Sequence, residues 1–169
     1  MDLFLLRHGL AGEPGLSGFA DDSLRPLTAQ GKRQLRKISA AMDKMDLAVE
    51  LILSSPLVRA KQTAEVAAGK LKLKKRLVFA DELKPGGDAG KLIQRLVALK
   101  PAPANILLVG HEPDLSELIS LLVTGKTDAG CARKKGGLAK LEAEKLRAGK
   151  CATLAWLLTP KLMQLIRDR

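Results

Sequence analysis

Short apolar runs separated by stretches of helical spacing are the feature that most restricts the fold of this chain. "DLFLL", "VELILS", "RLVFA" and "NILLVG" each have the length and composition of a strand buried on both faces. Between the first two, Leu35, Ile38 and Met42 recur at helical spacing, which predicts a helix from Ala29 to about Met45 with Thr28 as its N-cap. A hydroxyl at Ser54 or Ser55 followed by Pro56 predicts that a second helix starts there and runs to about Lys70. "GKLIQRLVAL" reads as a third helix capped by Asp88. A fourth spans about Leu115 to Val123 and stops at Gly125, and Pro160 opens a last short one. "GLAKLEAE" and "CATLAWLL" alternate like a pair of antiparallel edge strands. The expected architecture is α/β: a three-layer α/β/α sandwich around a mostly parallel sheet, with the C-terminal edge strands antiparallel. With 169 residues and no linker or repeat, one domain spanning 1–169 is expected.

In such a sheet, ligands bind at the carboxyl ends of the strands. The chain has two histidines, and both fall there: Arg7-His8-Gly9 follows the first run and Gly110-His111 the fourth. Arg59 lies one helical turn beyond the Ser-Pro turn that ends the second run. Two arginines and two imidazoles therefore converge on one rim. A guanidinium binds phosphate oxygens in bidentate fashion, and a neutral imidazole nitrogen is a competent nucleophile toward phosphorus. Helix N-termini near Pro56 and Pro113 offer backbone N–H groups to an anion. A histidine metal site is the competing reading, opposed by the cationic arginines beside it and by the lack of a fixed acidic cluster.

The net charge of +11 comes partly from "KLKLKKR" at 70–76 and "ARKKGG" at 132–137. It fits either a solvated basic surface or attraction of an anionic substrate. With aromatics at 2% and no tyrosine, stacking platforms are scarce, so nucleic acid is not the expected partner. No run approaches the roughly 20 residues that span a bilayer, and the first residues do not read as a signal peptide. Cys131 and Cys151 are expected to be unpaired thiols of a cytoplasmic protein, with a single disulfide as the alternative.

"LLRHG", "SSPLVRAKQTAE" and "LLVGHEPDL" resemble the three motifs of the histidine phosphatase superfamily, in that family's order and spacing. The resemblance implies a phosphoglycerate mutase-like fold, with His8 as nucleophile and Arg7, Arg59 and His111 holding the phosphoryl group. No metal or other cofactor is implied. "LRPLTAQG", "DELKPGGDAGKL", "KKGGLAKL" and "WLLTP" are further similar to the short SixA-type phosphohistidine phosphatases. Those enzymes dephosphorylate a histidine of a partner protein, typically a histidine phosphotransfer domain.

The connection after the third strand, "DELKPGGDA", has ordinary length, where larger family members insert a helical cap. An open site is expected, suited to a bulky protein and also accessible to small phosphate esters. Glu82 is the candidate general acid, or else a surface carboxylate paired with a lysine. Gly9 is expected to leave room for phosphate, and Arg25 is a rim residue that could extend the phosphate pocket. Two other functions fit the same residues: a phosphomonoesterase for small metabolites, and a basic module that binds phosphoproteins or nucleic acid without turnover.

Overall fold

The computed structural model describes residues 1–13, 21–131 and 133–168. One six-stranded sheet is built from β1 (Asp2–Arg7), β2 (Leu51–Ser54), β3 (Leu77–Phe79), β4 (Asn105–Gly110), β5 (Leu138–Glu142) and β6 (Thr153–Leu158). Its strand order is β3-β2-β4-β1-β5-β6. The first four strands pair in parallel, while β5 runs antiparallel to both β1 and β6. The expected antiparallel C-terminal strands close one side of the sheet, with β6 at the edge and β5 between it and β1.

Alternation along β1 sorts the core into two layers, as the period of two requires. Leu3 and Leu5 face Leu92 and Leu96 of α3 (Ala89–Ala98) and Leu118 of α4 (Asp114–Thr124). Phe4 and Leu6 face the other way, onto Leu35 and Met42 of α1 (Ala29–Lys44), Ala64 of α2 (Val58–Lys70) and Met163 of α5 (Pro160–Asp168). The result is the α/β/α sandwich expected from the pattern.

Caps behave as local chemistry predicts at two helices and not at a third. Thr28 accepts from the Gly31 N–H, and Asp88 from the Lys91 N–H. α2, by contrast, begins at Val58, with no side chain capping it. The Ser55 hydroxyl accepts from the Leu57 N–H at 3.3 Å but lies too early to cap the helix, and its second partner is His111.

α1 is seated directly on the segment that leaves β1. The Thr28 N–H donates to Leu10 O, and a Cβ at Gly31 would stand 2.1 Å from that same carbonyl oxygen. Since the obstacle is backbone, no rotamer change relieves it. Gly31→Ala is therefore expected to destabilise the fold by about 1–3 kcal/mol. Thermal unfolding should show a fall of several degrees in Tm.

Candidate active site

The β1–β4 register aligns Arg7 with Gly110, and the His8 N–H donates to Gly110 O, so the residues that follow emerge side by side. The His8 and His111 rings lie 5.1 Å apart, centroid to centroid, inclined at 52°. Both are buried, with His8 6% and His111 2% exposed. Arg59, in the first turn of α2, is buried beside them. Of the two basic segments, 133–137 belongs to this end of the sheet: the Gly136 N–H donates to the carbonyls of Arg7 and His8. The cluster Lys74–Arg76 precedes β3 and so lies at the opposite, amino end of the parallel strands.

Hydrogen bonding assigns the tautomer of His8 and anchors the ring of His111. His8 Nδ1 is 2.8 Å from Gly9 O, and a carbonyl only accepts, so Nδ1 carries the proton and Nε2 keeps its lone pair. His111 Nε2 is 2.9 Å from Ser55 Oγ. The Ser55 hydroxyl, which also accepts from Leu57 N–H, anchors the ring on that side, and His111 Nδ1 is buried with no partner among the described residues. Arg7 Nε and Arg59 Nε are likewise buried without a partner among the described residues. Two unspent guanidinium donors and one unspent imidazole nitrogen thus belong to residues grouped around an imidazole with a free lone pair. Such an arrangement suits an anion rich in oxygen acceptors.

Electrostatics keep both rings neutral. Burial pushes His8 down to about 4, with the charges of Arg59, Arg7 and Lys135 acting in the same sense and the hydrogen bond to Gly9 opposing them. His111 is pushed down to about 3, first by burial and then by the charges of His8 and Arg59. Burial likewise lowers Arg59, opposed by the carboxylate of Asp22. A neutral His8 is what nucleophilic use of Nε2 requires.

Three sequence-based candidates acquire definite surroundings in the structure. Gly9 is held by packing. A Cβ there would meet Leu35 at 2.5 Å, its N–H is donated to Thr63 Oγ1 and its carbonyl is held by His8, so the residue serves the seating of α1. Arg25 is not a rim side chain but is buried, with Nε on Asp22 and Nη1 on Gly12 O. Glu82 pairs with Arg95, Nη1 to Oε2 3.1 Å, rather than with a lysine. It lines a small pocket together with His111 and Asp114. Asp114 Oδ1 accepts from Gly86 N–H and so ties the β3–α3 connection to α4.

Sequence reasoning missed the support behind Arg7. Its Nη1 donates to Arg133 O, and the Arg133 guanidinium is fully enclosed, with Nη2 on Glu112 Oε1 at 2.8 Å and Nη1 on Leu5 O at 2.9 Å. Glu112 is the neighbour of His111, but 21 positions separate it from Arg133. No local pattern could distinguish this buried arginine from the solvated lysines beside it.

Sequence and structure comparisons identify the family. A family model described as the histidine phosphatase superfamily, branch 1, matches residues 3–84. With a relative in that family 34% identical over 75% of this chain, the chain belongs to the histidine phosphatase superfamily. That relative is the phosphohistidine phosphatase SixA of Escherichia coli (strain K12), 77% of which is covered. An uncharacterized protein of Picosynechococcus sp. is 35% identical over 95% of this chain and 98% of its own length. A structure of the protein histidine phosphatase SixA complexed with tungstate superposes with a TM-score of 0.81 at 28% identity, covering 95% of this chain and 98% of that one. Within the superfamily, this chain is a SixA-like phosphatase.

The lowered histidines make stability depend on pH. Above about 6.5, neither the folded nor the unfolded state protonates them. Between about 6.5 and 4 the unfolded chain takes up protons that the buried rings refuse, so stability falls as pH falls. His111 alone should account for a loss on the order of 2 kcal/mol between pH 7 and pH 5. Urea unfolding at both pH values should show that loss in the native chain and a reduced one in His111→Asn.

Proposed function

We propose that this protein hydrolyses phosphohistidine on a partner protein through a covalent phospho-His8 intermediate. The observation that carries the reading is the set of buried nitrogens on Arg7, Arg59 and His111, without partners among the described residues, around His8, whose Nε2 lone pair is free. In the first step Nε2 attacks phosphorus in line, the bond from phosphorus to the leaving nitrogen breaks, and the departing imidazole takes a proton. In the second, water attacks phospho-His8, the P–Nε2 bond breaks, and orthophosphate leaves with His8 restored. The guanidinium and imidazole donors meet the charge that gathers on the equatorial oxygens.

Two features favour a protein substrate. The β3–α3 connection has only a short 3-10 turn, Asp81–Leu83, before α3, so no helical cap is inserted there. Imidazole is also a better leaving group than an alkoxide and needs less proton donation. Glu82, engaged by Arg95, is accordingly a secondary participant in this reading and Arg25 a distal part of the phosphate pocket. The similarity to SixA supports the same substrate class. A small-metabolite phosphomonoesterase remains the second reading, because an uncapped site admits small esters as well.

Incubation with a phosphohistidine-bearing phosphotransfer domain, followed by alkaline quench, should leave label on His8 of this protein. His8→Ala should show neither label nor turnover; full turnover by that variant would overturn the mechanism. Arg7→Ala and Arg59→Ala should each lose about 3 kcal/mol of transition-state stabilisation, roughly a hundredfold or more in kcat. Rates on the phosphohistidine domain should exceed those on sugar phosphates, and the opposite order would establish the second reading.

A further inference from the structure

Asp22 lies in a short 3-10 turn, Asp22–Leu24, and both its carboxylate oxygens engage arginines of the site. Oδ1 accepts from Arg25 Nε at 2.8 Å, and Oδ2 lies 3.0 Å from Arg59 Nη1. The same Nη1 also donates to Asp22 O at 2.8 Å. The turn does not need this carboxylate for its own cap, because Asp21 accepts from the Ser23 N–H. Exposure is strongly asymmetric: the Asp22 side chain is 53% accessible, while those of Arg25 and Arg59 are 9% and 5%. A half-exposed acid therefore covers the solvent side of two buried cations, in a pocket suited to a phosphoryl dianion.

That placement has two physical effects. It commits Nη1 of Arg59 to the protein and leaves Nε, which is buried and has no partner among the described residues, for a ligand oxygen. It also sets a fixed negative charge beside the anion site, which weakens the hold on any anion by like-charge repulsion. Repulsion falls hardest on ligands that carry a second negative group next to the phosphoryl group. A phosphohistidine whose imidazole is neutral escapes it.

We infer that Asp22 is a specificity and product-release determinant of this site, holding Arg59 in position while limiting retention of orthophosphate and excluding doubly anionic phosphate esters. The inference rests on the phosphatase reading. Calorimetric titration of orthophosphate into the native chain, Asp22→Asn and Asp22→Glu tests it. Asp22→Asn should bind orthophosphate at least about fivefold tighter, and Asp22→Glu within about twofold of the native chain. Phenyl phosphate should bind the native chain better than 2-carboxyphenyl phosphate, and Asp22→Asn should narrow that gap.

Unchanged or weaker orthophosphate binding by Asp22→Asn at native Tm would overturn the inference, as would equal binding of the two esters by the native chain. The ester comparison needs no variant, so it decides the matter even if Asp22→Asn does not fold. Failure of the native chain to bind orthophosphate at all would instead count against the phosphatase reading itself.

Discussion

The pairing of β1 with β4 is the interaction on which the rest of the site depends. Its register sets Arg7 against Gly110, and the next residue on each strand is then a histidine. A slip of one residue would turn Leu3 and Leu5 from one helical layer to the other, so the register is set by burial on both faces. The geometry of the candidate site is thus inherited from core packing. Arg59 joins through β2, which pairs with the far side of β4 and delivers the first turn of α2 to the same rim.

Around this centre, interactions are graded by distance from the ligand site. His8 is oriented by the carbonyl of its own neighbour, and His111 by Ser55 from the end of β2. Arg7 is held by Arg133 O, and the position of Arg133 depends on its buried pair with Glu112. A buried ion pair contributes little to net stability against a well-packed apolar alternative, yet losing one partner is costly. Its value here is positional, since it connects the residue after His111 to the support of Arg7.

Much of the fold was legible in the sequence because the signals were local. Apolar runs of four to six residues, helical recurrence in 29–45 and caps at Thr28 and Asp88 each report on a few neighbouring positions. The convergence of His8, His111 and Arg59 was legible because parallel strands end on one side. What could not be read were contacts between side chains distant in sequence. Arg25 looked exposed until Asp22 and Gly12 enclosed it, Glu82 could not be matched to Arg95, and Ser55 looked like a helix cap while its hydroxyl belonged to a histidine. The interior place of β5 likewise depends on strand order, which alternation alone does not encode.

Gly9 shows how a short signature can mix different demands. The proposed mechanism assigns the chemistry to Arg7 and His8, but the third letter is small because a Cβ there would meet Leu35 and Leu27 of the overlying layer. A larger residue there would press on Leu35 of α1 without removing any polar side chain from the candidate site. An inactive Gly9 variant would therefore point first to masonry, and a smaller residue at position 35 would relieve the pressure that also reaches the carbonyl orienting His8.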